Sequence, residues 1–288
     1  MSSLHQLRSL TVLAIMIGLP SCDQVFSLER PTSCGDGVLA QDEDCDDGGS
    51  EPGDGCGRTC EIEPGFECPS INAGQPCLPV VGLSRGPAIT ELPAAGSMSG
   101  NSIAFECEPS EVMIGLEGYA DEVGDNLGRI SFVCGSLALG ENGNAVLTKA
   151  HQSVLFGTGQ IDPFLTAFCA PDEVVTGFVP TTNTYVSGIG WICQKLSHTG
   201  GALRFGAATT IAFGPTVGEP QAARQCPPNE VVTRAFGTIG ASLDLLGFAC
   251  SAISTVVCGD GVVVTPETCD DGNLVRHDGC DDRCLLEN

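Results

Sequence analysis

Three times along the chain, a cysteine is approached by the same spacing of apolar positions. Counting back from Cys134, Cys193 and Cys250, an aromatic residue stands two places before (Phe132, Trp191, Phe248) and an aliphatic one four places before (Ile130, Ile189, Leu246). A further aliphatic residue stands seven places before (Leu127, Val186, Leu243). Successive side chains of a strand point to opposite faces, so the cysteine and the positions two and four before it share one face, which is predicted to be buried. Each run opens on a second shared motif: CEPSEVMIG at Cys107, CAPDEVVTG at Cys169 and CPPNEVVTR at Cys226, with starts 62 and 57 residues apart. Phe156-Gly157 and Phe213-Gly214 lie thirteen residues upstream of the second and third starts, and the first unit has no clear equivalent. Val, Ile, Thr and Phe alternate with Gly and polar residues, and no apolar stripe of helical period appears. The pattern predicts an all-β, pseudo-threefold domain over residues 85–255, each unit supplying three or four strands. A β-prism and a β-trefoil both satisfy it. Phe twice holds the place of Trp191, the only tryptophan, which therefore belongs to the core.

A different repeat flanks this domain. CGDGVLAQDEDCDDGGSEPGDGCGRTC, residues 34–60, aligns without a gap on CGDGVVVTPETCDDGNLVRHDGCDDRC, residues 258–284, with 14 of 27 positions identical, all four cysteines among them. Asp-Gly pairs favour turns, because Gly takes positive φ without strain and the Asp side chain bonds back to the main chain. A unit this small needs covalent staples. Two bridges among its four cysteines are expected, in any of three pairings, and the first copy continues to Cys68 and Cys77, an expected third bridge. The predicted modules are residues 34–77 and 258–284. Five acidic positions recur in both copies: Asp36, Glu43, Asp46, Asp47 and Asp54, then Asp260, Glu267, Asp270, Asp271 and Asp278. Hard oxygen donors on a stapled loop make calcium a candidate ligand, and solvated turns are the alternative.

The remaining composition sorts the chain by compartment and partner. Residues 1–22 form a targeting segment: Arg8, an apolar run from Leu10 to Leu19 too short to span a bilayer, then Leu-Pro-Ser-Cys ending at Cys22. Of 17 cysteines, setting Cys22 aside leaves 16, in sets of six, six and four, each even. Oxidised cysteines closed within three modules are the expectation, with the central pairs Cys107–Cys134, Cys169–Cys193 and Cys226–Cys250. Lys plus Arg number 12 against 36 Asp plus Glu, a net charge of −24 that repels phosphate and argues against nucleic acid as a partner.

Several of these motifs carry resemblances. The tetrapeptide before Cys22 resembles a bacterial lipoprotein signal, which implies lipid on Cys22 and an exported, membrane-anchored chain at the outer membrane or cell surface. The CGDG…CDDG…DGC units resemble the cysteine-rich repeat found in many myxobacterial surface proteins, which implies surface display more than an activity. The 60-residue unit, with its closing aliphatic-x-x-aliphatic-x-aromatic-x-Cys strand, resembles the vitelline membrane outer layer protein family and, more distantly, jacalin-like lectins. That resemblance implies a β-prism and allows glycan recognition.

Catalytic signals are weak. Gly82-Leu83-Ser84-Arg85-Gly86 matches a nucleophile-elbow pattern, but Pro87 follows in what reads as a linker, where the elbow needs a helix. His151, His198 and His277 have no metal-binding or Cys-His spacing. Glu111, Glu173 and Glu230 recur at one place in each repeat, which a shared turn explains better than a pair of catalytic carboxylates. The expected function is a non-catalytic binding role toward an extracellular glycan or surface protein, with a structural envelope lipoprotein or a glycoside hydrolase as alternatives. Recognition is expected in loops that break the repeat, such as Asn183-Thr184-Tyr185.

Overall fold

The computed structural model describes residues 34–69, 74–140, 142–158, 161–215 and 217–287. Residues 1–22, the expected targeting segment with Cys22 at its end, lie outside them. Strands in chain order are Phe66–Glu67 (β1), Leu78–Glu91 (β2), Ala95–Gly96 (β3), Asn101–Glu106 (β4), Glu111–Ala120 (β5), Leu127–Leu139 (β6), Ala145–Gln152 (β7) and Ile161–Phe168 (β8). They continue as Glu173–Thr182 (β9), Val186–Thr199 (β10), Ala202–Phe213 (β11), Glu219–Pro220 (β12), Arg224–Gln225 (β13), Glu230–Ile239 (β14) and Leu243–Val257 (β15).

Each repeat motif builds one hairpin: β5–β6, β9–β10 and β14–β15. The strand after a hairpin pairs with its second strand and the next returns to its first, giving the sheets β7-β6-β5-β8 and β11-β10-β9-β12, with β13 also on β9. The third hairpin ends the domain, so N-terminal strands take those two places: β2 pairs with β15 and β4 with β14. Three antiparallel sheets thus surround one core, a pseudo-threefold β-prism closed by the two ends of its own chain. Gly82–Gly86 therefore lies within β2 and not in a linker, and Ser84 Oγ sits 3.0 Å from Ser254 Oγ of β15 in an exposed pair. In the third sheet β2 begins at Leu78 and β15 ends at Val257, beyond both 85 and 255.

The positions sharing the cysteine face meet in the centre. Ile130, Phe132 and Cys134, Ile189, Trp191 and Cys193, and Leu246, Phe248 and Cys250 are buried in one cluster. Cys107–Cys134, Cys169–Cys193 and Cys226–Cys250 are disulfides, each tying the turn before a hairpin to that hairpin's second strand. Closing a loop of that length contributes about 3 kcal/mol on the chain-entropy view. Beyond the cysteine the opposite face is buried as well, and the partner strands carry extra residues. Register shifts fall at Cys134/Gly135, Gln194/Leu196 and Ser251/Ile253. Leu196 and Ile253, three places past the cysteine, lie on the face opposite to it, as regular alternation puts an odd offset. They join a second cluster with Val112, Val174 and Val231, the valines of the shared Glu-Val pair.

The first unit does hold an equivalent of Phe-Gly. Phe156 pairs with Ile130, Phe213 with Ile189 and Ala95 with Leu246, the same place in each hairpin. Gly157, Gly214 and Gly96 follow at φ of 91°, 96° and 103°, where a Cβ would collide with the carbonyl oxygens of Gly128, Ser187 and Asp244. Glycine is required at all three places, whereas the preceding Phe can shrink to Ala.

Both flanking modules close in nested pairs, Cys34–Cys60 around Cys45–Cys56 and Cys258–Cys284 around Cys269–Cys280, with Cys68–Cys77 added in the first. β1 pairs with the start of β2, and Ile62 packs over Gly201 at the β10–β11 turn. His198 Nε2, almost fully buried, comes within 3.3 Å of Glu67 Oε1 without meeting hydrogen-bond geometry. The second module lays Pro266 against Gly82.

Candidate functional site

The three hairpins differ at their tips, 121–126, 183–185 and 240–242, which gather at one end of the prism. Asp121, 4% exposed, holds the first tip by accepting bonds from Gly124 N (2.9 Å), Asp125 N (3.2 Å) and Asn126 Nδ2 (2.9 Å). It also accepts from Ser242 Oγ of the third tip at 2.8 Å, while Asn126 Oδ1 accepts from Asn183 Nδ2 of the second at 2.9 Å. Burial opposes ionisation of Asp121, but the bonds from Asn126, Ser242 and the amides outweigh it and hold its pKa below the ordinary aspartate value. One carboxylate therefore joins the first and third tips directly and the second through Asn126.

Asn183 is a positioning residue in this arrangement. Its Nδ2 is spent on Asn126 and its Oδ1 accepts from Tyr185 N at 2.9 Å, which fixes the turn and leaves Thr184 exposed. Beside it lies a cleft of about 370 Å³ lined by Gly96, Ser97, Asn183, Thr184, Gln221 and Arg224, among others. Gln221 Nε2 bonds Thr182 Oγ1 at 3.2 Å. Arg224 donates to Pro93 O and stands 5.5 Å from the centre of the Phe178 ring, and its burial lowers its pKa from the ordinary value. The cleft wall thus carries hydroxyl and amide groups, one fixed guanidinium and the bare backbone of Gly96. No Asp, Glu, His or Cys lines it. Ser97, Gln221 and Arg224 escaped the sequence reading because they arrive from segments outside the β9–β10 repeat motif.

The recurring acids of the flanking modules are placed on their own backbones. Asp46 Oδ1 accepts from Gly37 N at 3.0 Å and Gly48 N at 2.8 Å, and Asp270 accepts from the amides of Gly259, Asp260, Gly261 and Gly272. Burial opposes ionisation of both, and these amides overcome it, so both pKa values lie below the ordinary one. Asp36 and Asp260 bond Val38 N and Val262 N, Glu43 and Glu267 bond Ala40 N and Val264 N, and Asp47 and Asp271 bond Gly49 N and Asn273 N. Asp54 and Asp278 are exposed. Backbone bonds by themselves account for four of the five recurring positions in each copy. Glu267 differs from the other acids in that burial, with the charges of Asp270 and Asp260 beside it, raises its pKa. The groups Glu43, Asp46 and Cys60, and Cys258, Glu267 and Cys284, bring possible ligand atoms within 4.8 Å of one another, but their cysteines are oxidised and offer no thiolate.

The description "Domain of unknown function (DUF4215)" fits residues 21–61 and 244–285, which take in the four-cysteine unit of each flanking module and end before Cys68 in the first. No curated protein matches the chain. Among solved structures it is similar to Calsepa lectin in complex with a biantennary N-glycan, at 17% identity over 57% of this chain and 97% of that one, with a TM-score of 0.38. Calystegia sepium agglutinin is similar at 16% identity over 57% and 97%, with a TM-score of 0.37. A mannose-binding jacalin-related lectin from Ananas comosus follows at 14% over 56% and 96%, with a TM-score of 0.36.

Glu111, Glu173 and Glu230 each open the first strand of a hairpin, and the amide of each donates to the carbonyl three residues back. Glu111 Oε2 also meets His151 Nδ1 at 2.6 Å, and Glu230 Oε1 accepts from Thr90 Oγ1 at 3.2 Å. A turn role explains why they recur.

Proposed function

We propose that this is an exported, non-catalytic glycan-binding protein whose saccharide site is the hairpin-tip cleft. The observation that carries the reading is the wall of that cleft: neutral hydroxyls and amides with one guanidinium, at the place where the threefold repeat is broken. Paired donors and acceptors match the hydroxyls of a sugar, and a cleft of about 370 Å³ falls in the range of small-ligand sites. No general acid or base reaches into it, so bound sugar is held and not cleaved. The bare Gly96 backbone lets a ring approach the strand closely. Eight disulfides support export to an oxidising compartment.

Glycan-array binding by the whole secreted chain tests this. The double variant Thr184→Ala, Gln221→Ala is expected to lose about tenfold or more in affinity, since two hydrogen bonds at about 1 kcal/mol each are removed. A folded chain that binds no glycan would replace this reading with a structural envelope role. Anchoring by lipid on Cys22 is the part of the proposal that rests on sequence, and Cys22→Ala is expected to abolish partitioning into the detergent phase.

A further inference from the structure

The three glutamates that open the hairpins are equal in sequence but not in bonding. Glu111 Oε2 accepts from Glu108 N at 3.3 Å and Glu173 Oε2 from Ala170 N at 3.2 Å, so each carboxylate closes its own turn on the amide three residues back. In the third repeat that residue is Pro227, which has no N–H to give. Glu230 Oε2 is accordingly buried without a hydrogen-bond partner among the described residues. Its other oxygen is held only by Thr90. Proline thus releases here a carboxylate that the other two repeats spend on their backbone.

The released group lines a cavity of about 540 Å³ between the second and third repeats, together with Gln194, Arg204, Phe205, Gln225 and Asn229. Gln194 is committed, accepting from Thr176 Oγ1 at 2.7 Å and donating to Gly206 O at 2.8 Å. Arg204, Gln225 and Asn229 are exposed, and Phe205 is half-buried. Asn229 adopts φ of 63°, a left-handed turn that asparagine tolerates better than most residues.

We infer that this cavity is a second saccharide-binding site, with Glu230 as its hydroxyl acceptor. The unpartnered oxygen has already been stripped of water by the fold, so a ligand O–H that reaches it gains the bond without that desolvation cost. Oε2 is itself shielded, and rotation about χ3, a soft torsion, presents it to the cavity that the carboxylate lines. Arg204 balances the charge of Glu230, which favours a neutral polyol over an anion or a cation. Gln225 and Asn229 supply mixed donors and acceptors, and the Phe205 ring supplies an apolar wall for the C–H face of a sugar ring. This site does not depend on the hairpin-tip cleft, with which it shares no residue. If both bind, two weak sites on one rigid domain give avidity toward a branched or dense glycan.

The test is an NMR titration of the full chain, labelled with 15N, using the methyl glycosides of glucose, galactose and N-acetylglucosamine. At least one is expected to shift the Phe205, Gln225 and Asn229 amides, saturating on the order of 1–10 mM. Pro227→Ala restores the missing N–H, recaptures Glu230 Oε2 and is expected to weaken binding here about tenfold. Glu230→Gln removes the charge and should weaken it similarly, while neither substitution moves shifts at Thr184. Shifts confined to the hairpin tip, or shifts in this cavity that both variants leave unchanged, would overturn the second site without touching the first. Perturbation here alone would support it even if the tip bound nothing.

Discussion

Phe248→Ala is expected to destabilise the protein by about 3–5 kcal/mol and to lower the melting temperature by roughly 10 °C or more. Phe248 is fully buried, and its ring centre lies 4.8 Å from Phe178, 4.8 Å from Trp191 and 6.2 Å from Phe132. Rings from all three sheets thus meet on this one side chain. The cavity left by alanine cannot be filled by collapse, because Phe132, Trp191 and position 248 itself each stand two residues from a disulfide-bonded cysteine. Trp191→Phe makes the contrast. Trp191 Nε1 is buried without a partner among the described residues, so phenylalanine sheds an orphaned donor while losing some volume, and less than about 1.5 kcal/mol is expected. Urea melts of both variants check this. A cost below about 1 kcal/mol for Phe248→Ala, or equal costs for the two, would show that the core is not organised around this ring.

The central layer was legible because a period-two pattern survives wherever a strand stays regular, and three copies averaged out its noise. What the pattern hid lies on the opposite face. Near the cysteines that face is buried too, against a second cluster, so Leu196 and Ile253, at odd offsets from Cys193 and Cys250, read as outward positions. β2 was lost for another reason. Its sequence, LPVVGLSRGPAITE, alternates poorly, and the partner that makes it a strand, β15, is more than 150 residues away. Ala95–Gly96 escaped because packing demands only the glycine, and it stands one residue nearer its cysteine than Phe156-Gly157 does.

For the candidate sites, symmetry was informative chiefly where it failed. Asn183-Thr184-Tyr185 was visible as a non-repeating tip, but the opposite wall of its cleft comes from Ser97, Gln221 and Arg224, which only folding brings near. With Glu230 the informative residue was its neighbour: the glutamate repeats, and Pro227 is what sets it apart. The acidic modules show the reverse case. Recurrence of five carboxylates left an ion and solvated turns both open, and the glycine-dense turns expose amide groups to which four of the five carboxylates bond.

Asp121→Ala is expected to cost about 3 kcal/mol at neutral pH, the second-largest effect anticipated for a single substitution. The carboxylate accepts from three amides of its own turn, from Asn126 Nδ2 and from Ser242 Oγ, and alanine would leave these donors, most of them buried or half-buried, without that acceptor. It would also unlink the third tip from the first, and slacken Asn126 where it holds Asn183 at the candidate sugar site. The sign of the pH dependence follows from the lowered pKa. Unfolded aspartate takes up a proton near pH ~3.9, whereas folded Asp121 resists it to lower pH. Its contribution is therefore complete above that value and disappears as pH falls through the lower, folded one. Asp121→Asn keeps the shape without the titration, so the stability gap between wild type and this variant should narrow steadily as urea melts are taken from pH 7 into acid. Asp46 and Asp270 shift in the same direction, so wild-type stability itself will fall in acid whatever Asp121 does, and the gap is the quantity to read. A gap of constant size across that range would mean that ionised Asp121 is not what joins the three repeats.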